Sequence, residues 1–181
     1  MAEEVILMNL ETYLYDSTHK FTIALQCQGT PCVRIKINNE VKFDQKIDRD
    51  VIVDCTADLQ KYDPGNISVE MYGKSSRDTI IENGEIVRDT TLTVDDVIIN
   101  GASLLKIGDI HSGVYHPIYW DNYTGDKPDT IQGARTMGFN GIWKYTWKES
   151  PIRHIINHKE LVAQTSINKD MHHIFDVLGL T

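Results

Sequence analysis

Residues 66–104, NISVEMYGKSSRDTIIENGEIVRDTTLTVDDVIINGASL, constrain the chain more than any other stretch. They read as a strand, a charged loop, a hairpin with Asn83-Gly84 at its tip, and a long bent strand. Asn-Gly between two extended runs is the strongest short-range hairpin signal, because both residues tolerate the positive φ that the tight turn demands. Leu92 and Val94 share one parity and Val97 and Ile99 the other. That flip at Asp95-Asp96 predicts a β-bulge or a strand crossing between sheets. No helical period is present, so the scaffold is antiparallel β.

The flanking sequence extends the pattern. Phe21, Ile23, Leu25 and Cys27 alternate with polar or small residues. So do Val33, Ile35 and Ile37; then Val41, Phe43, Gln45 and Ile47; then Val51, Val53 and Cys55. Period-two alternation with turn residues between the runs predicts half-buried strands of a sandwich or barrel. Ile67, Val69 and Met71 restart the alternation after Asp63-Pro64-Gly65. Trp143, Tyr145 and Trp147 form a last strand with three rings on one face, which predicts a core-facing strand rather than a sugar platform. Ser150-Pro151 reads as an N-cap followed by Pro at the first helical position. A final helix fits Ile167, Met171, Ile174, Phe175 and Leu178, closed by Gly179. The expected organisation is an N-terminal arm or short strand over 1–19, a β-sandwich over 20–149 and a helical appendage over 150–181. The fold class is therefore an all-β antiparallel sandwich, jelly-roll-like, with one or two short C-terminal helices.

Charge narrows the partners. The 181 residues carry a formal net charge of −8. Phosphate backbones and anionic membrane surfaces are bound by clustered Lys and Arg, so neither nucleic acid nor membrane is an expected partner. No apolar run approaches the ~20 residues that span a bilayer. The start lacks the basic stretch and cleavage site of a secretion signal, which predicts folding in a cytosol. Three cysteines without a C-x-x-C pair predict neither a disulfide framework nor a zinc site.

Candidate chemistry is sparse. Gly108-Asp109-Ile110-His111 resembles one motif of dinuclear metallophosphoesterases, but the further carboxylates, histidines and Asn that hold two metals are missing. His154 and His158 lie four apart without the Glu of a zincin, and His172-His173 point in different directions. No enzyme is expected. The irregular stretch between Gly101 and Gly141 is long for a compact domain, and such loops are usually functional or interfacial. Its Tyr115, Tyr119, Trp120 and Tyr123 are the candidate partner-binding residues, because aromatic rings are rigid contact anchors. Its Asp121, Asp126 and Asp129 are candidate calcium ligands, although turn chemistry explains the same residues and the spacing is not that of an EF-hand. Apart from that calcium, no cofactor is expected.

With these residues in place, MYGK, RDTIIENGEIVRDTTLTVDDVIINGASL, GVYHPIYW and MGFNGIWKYTWKESPI resemble small β-sandwich virion structural proteins of tailed bacteriophages. The resemblance covers roughly residues 66–156. It implies a non-enzymatic protein that decorates the capsid or serves as a neck, tail or baseplate adaptor. Its partners would be other virion proteins, in many copies or as a homo-oligomer. It would be made in the host cytoplasm and located in the virion. The first half of the match is also similar to calcium-dependent xylan-binding modules. That similarity implies the alternative of a carbohydrate-binding module, within a fibre or receptor-binding apparatus, with a glycan as partner. It carries the fold over and no binding site.

Overall fold

Each alternating run becomes a strand in the computed structural model, which describes residues 18–59, 64–151, 153–155 and 157. The four N-terminal runs are β1 (Thr18–Gln28), β2 (Cys32–Ile37), β3 (Glu40–Lys46) and β4 (Val51–Asp58). After Pro64 comes β5 (Gly65–Tyr72), then the hairpin pair β6 (Ile80–Glu82) and β7 (Glu85–Arg88). The long bent strand is β8 (Thr91–Ile99), turned back by β9 (Ala102–Ser103). The irregular stretch holds β10 (Val114–Ile118), β11 (Ile131–Gln132) and β12 (Thr136–Met137), and the aromatic strand is β13 (Asn140–Trp147).

These strands make an antiparallel β-sandwich. One sheet runs β12-β8-β1-β4, with β9 beside the end of β8. The other runs β11-β10-β13-β5-β2-β3, and β6-β7 stands apart as a two-stranded ribbon. Asn83 and Gly84 have φ of 54° and 85°, the positive pair that a type I′ turn requires.

The phase flip in β8 is a bulge. Its pairing with β1 slips between Ala24 and Leu25, which face Asp96 and Val94 and leave Asp95 without a partner in the ladder. Arg135 takes the freed Asp95 carbonyl at 2.8 Å. The Asp96 carboxylate collects the Ser103 hydroxyl at 2.6 Å and the Leu105 N–H at 3.0 Å. Leu92, Val94, Val97 and Ile99 thereby all face inward despite their opposite parity.

The inward faces of both sheets form one apolar core. Phe21, Ile23 and Leu25 of β1 and the inward residues of β8 join Val33, Ile35 and Ile37 of β2, Ile67, Val69 and Met71 of β5, and the three rings of β13. Trp143, Tyr145 and Trp147 are 0%, 1% and 2% exposed, so this face is core and not a platform, as the alternation predicts. Gly113 and Gly65 make room for the two indoles. A Cβ on either would lie 2.5 or 2.6 Å from indole atoms of Trp143 or Trp147, respectively.

Beyond β13 the predicted cap forms. Ser150 Oγ accepts the Arg153 N–H at 3.3 Å, the Ser150 carbonyl accepts the His154 N–H at 3.0 Å, and a helical turn starts at Pro151. The N-terminal arm, apart from Thr18 and His19, and the final predicted helix lie outside the described residues. Thr18 and His19 belong to β1.

Trp143→Ala should destabilise the protein by ~3–5 kcal/mol in denaturant titration, since it deletes a fully buried indole and leaves a cavity. An unchanged midpoint would contradict the core placement.

Candidate functional site

The turn between β12 and β13 consists of Gly138 and Phe139, and among the described residues the Phe139 ring is the hub of a four-ring aromatic cluster. Tyr119 and Tyr123 each meet it edge-on with centroids 4.9 Å away, and Trp120 meets it at 5.0 Å. Tyr119 and Tyr123 stack on one another at 5.3 Å, 8° from parallel. All four residues are half-buried, and the Trp120 indole nitrogen is buried. Edge-to-face and offset contacts suit the ring quadrupoles, each such pair adding ~0.5–1.5 kcal/mol beyond burial.

Two clamps fix the hub. Alternation in β10 turns Tyr115 inward, where its hydroxyl donates to the Phe139 carbonyl at 2.7 Å and accepts the Phe139 N–H at 3.2 Å. From the other side, Asn140 pairs reciprocally with the Lys74 backbone. Its Oδ1 accepts the Lys74 N–H at 2.9 Å and its Nδ2 donates to the Lys74 carbonyl at 2.7 Å. The Lys74 side chain is fully buried; its Nζ donates to the Gly138 carbonyl and to Asp89 Oδ1, the latter at 2.6 Å. The same Asp89 oxygen accepts the Thr79 hydroxyl at 2.6 Å and the Thr90 N–H at 2.8 Å. Lys74 Nζ also lies 5.5 Å from the centroid of the Trp120 ring.

The loop carrying the rings is tied to itself. Tyr119 donates its hydroxyl to the Pro128 carbonyl at 3.2 Å, and the Tyr123 N–H bonds the Trp120 carbonyl at 3.0 Å. Gly125 passes so close to Tyr123 that a Cβ would fall 2.3 Å from the phenol oxygen. Lys127 Nζ stands 6.0 Å over the Tyr123 ring. Burial, helped by neighbouring Tyr123 and Asp129, raises the Tyr119 phenol above its ordinary value.

The structure redistributes the candidate residues. Tyr119, Trp120 and Tyr123 share one surface. Tyr115 does not: it is 2% exposed and acts from below as a clamp, because the strand's alternation points it into the core. Asp121, Asp126 and Asp129 are exposed and are not gathered for a metal. Among the described residues no three His, Cys, Asp or Glu side chains form a group that could hold an ion. Calcium wants six to eight oxygens converging on one point, and these three carboxylates do not converge. The inward-facing oxygens of the site, from Asp89 and Gly138, are already turned on an ammonium.

The Gly-Asp-x-His segment is a short 3-10 turn. Asp109 is buried and accepts the Tyr145 hydroxyl, whereas His111 is exposed. Burial, reinforced by the bond to Asp109, raises the Tyr145 phenol. His154 Nε2 lies 3.5 Å from Asp109 Oδ2, so this histidine packs on the core end. His158, His172 and His173 lie outside the described residues. The three cysteines are free and half-buried.

Phe139, Lys74, Asp89 and Asn140 escape a sequence reading of site chemistry. The available signal was Gly138-Phe139-Asn140-Gly141, a ring between two glycines where an inward-facing strand begins.

No family model matches the sequence, and no curated protein matches it. Two solved structures are similar. One is vCBM60 in complex with galactobiose, at 14% identity and a TM-score of 0.44, covering 71% of this chain and 99% of that one. The other is a selenomethionine form of vCBM60, described with two families of calcium-dependent carbohydrate-binding modules linked by circular permutation. It also shows 14% identity and a TM-score of 0.44, covering 72% of this chain and 91% of that one.

Burial pushes the Tyr115 phenol up from 10.0 to about 12. A raised phenol favours the neutral folded form, so its contribution is complete below pH 10 and is lost as pH climbs through about 12. Tyr115→Phe should cost about 1–3 kcal/mol, because the Phe139 backbone groups lose their buried partner. It should also flatten the alkaline arm of a stability–pH curve between those two values. An unaltered arm would show that Tyr115 does not carry it.

Proposed function

We propose that this chain is a non-catalytic binding module that takes a neutral glycan on the rings around Phe139. The observation that carries this reading is the preassembled cluster of Tyr119, Trp120, Tyr123 and Phe139, held by backbone clamps and left partly open. Sugar rings present flat C–H faces that pack on aromatic rings. Tyr and Trp supply such area at low entropic cost because few torsions must be frozen. Exposed Asp121, Asn122, Asp126 and Asp129 border the rings in sequence and offer acceptors to sugar hydroxyls. The same carboxylates, on a chain of net charge −8, repel uronates and sulfated sugars, which is why the glycan is neutral.

Titration with galactobiose, the sugar in the vCBM60 complex, and with neutral xylo-oligosaccharides tests the reading. Tyr119→Ala and Tyr123→Ala should each weaken binding about tenfold, or ~1.4 kcal/mol, with the core melting unchanged. The sugar should be recovered uncleaved. Absence of binding to a broad neutral-glycan panel would overturn the reading.

A specific observation favours a second reading, assembly with other proteins, the role the phage resemblance implies. On the β6–β7 ribbon Ile81, Ile86 and Val87 are 62%, 61% and 54% exposed. Ile81 and Ile86 are direct cross-strand partners, so they make a small apolar patch on one face. Apolar patches on an isolated ribbon mark contact sites. Ile81→Asp with Ile86→Asp should abolish incorporation into particles while leaving glycan binding intact; normal incorporation would remove this reading.

A further inference from the structure

We infer that the Lys74 ammonium is the built-in cation of the aromatic site and does there what a bound metal ion would do. The inference rests on the reading of the Phe139 cluster as the binding surface. It starts from the mismatch between the chain and calcium: the carboxylates of the 121–129 loop do not converge, and the described residues hold no metal-ligating group. A cation is nevertheless present at the base of the site, and it is covalently attached.

The geometry is that of a cation holding three segments together. Lys74 follows the end of β5, Asp89 lies between β7 and β8, and Gly138 lies between β12 and β13. Nζ reaches an Asp89 carboxylate oxygen and the Gly138 carbonyl, and the Trp120 ring lies within cation–π reach. The Lys74 side chain is fully buried, so water does not reach its ammonium, while the Asp89 side chain is 15% exposed. Asp89 is itself oriented by the Thr79 hydroxyl and the Thr90 N–H. Gly138 is joined directly to Phe139, so a displacement of this ammonium displaces the hub and, through it, Trp120 and the two tyrosines. Calcium would need six to eight oxygens here, whereas Lys74 Nζ has two oxygen acceptors, from Asp89 and Gly138, and the face of the Trp120 ring. That set suits an ammonium and falls short of calcium. Lys74 is thus a positioning residue for the ring surface, and that surface needs no divalent metal.

The test reads the Trp120 indole ¹H–¹⁵N signal, assigned through Trp120→Phe, and needs no glycan. In the wild-type chain, EDTA and millimolar calcium chloride should each leave this signal and the Asp89 backbone signal unmoved. Lys74→Met keeps most of the apolar stem and removes the charge; it should retain the core unfolding transition while the indole signal shifts. Lys74→Ala should show the same shift, and n-propylammonium chloride, which replaces the missing atoms, should reverse it. Glycan affinity should fall in both variants and recover with the amine in Lys74→Ala alone, because the Met side chain fills the space the amine would take. A calcium-dependent shift of the wild-type signal would overturn the inference, as would an unmoved indole in Lys74→Met. If the wild-type chain binds no glycan while the indole responds as expected, the glycan reading fails and the role of Lys74 in holding the rings stands.

Discussion

The burial of three rings along β13 is the constraint on which the rest depends. Trp143, Tyr145 and Trp147 alternate on one face of a strand flanked by β10 and β5, so they fix its register: a one-residue slip would turn all three toward solvent. The start of β13 is thereby fixed as well, and with it Asn140 and the Gly138-Phe139 turn. The two glycines facing the indoles show how closely the neighbours conform, since neither Gly65 nor Gly113 leaves space for a methyl group. The candidate site is a consequence of this packing. Phe139 stands where it does because the next eight residues cannot move.

Polar groups then convert a position into a surface. The Tyr115 hydroxyl satisfies both backbone groups of Phe139, and Asn140 satisfies both backbone groups of Lys74. Each clamp is local, directional and costly to leave half-made, because an unpaired buried polar group forfeits its hydration without return. The Lys74–Asp89 pair adds a charged tie between segments distant in sequence. Buried ion pairs are weak evidence for stability and better evidence for specificity of arrangement. Here that arrangement ends directly beneath the rings.

Much of the scaffold was legible from residue order. Period-two alternation located β1 to β5 and β13, because a half-buried strand must alternate; β3 forms but without the expected buried face, since Val41 is 49% exposed, Gln45 is exposed and its register with β2 slips at Ile35/Lys36. Asn83-Gly84 located the hairpin because few other dipeptides accept two positive φ values, and the parity flip at Asp95-Asp96 located the bulge. The irregular stretch was legible as the place of the aromatic surface, but not its composition. Tyr115 looked like its neighbours Tyr119, Trp120 and Tyr123, yet it lies in β10 and faces inward, a fact set by pairing with β13. Asp121, Asp126 and Asp129 looked like a ligand set, yet they are exposed and form no metal-holding group among the described residues.

The sequence alone determined an antiparallel β-sandwich, the strand carrying the largest core residues among those described, the hairpin, and a net charge of −8. These follow from local rules: side-chain alternation, turn stereochemistry and net charge. The tertiary structure decided which aromatic rings meet, that Phe139 is their hub, and that Lys74 supplies the cation beneath them. Lys74, Asp89, Tyr115 and Phe139 lie in four separate segments of the chain. Only sheet closure brings them together, and no periodicity within any one segment records that they meet.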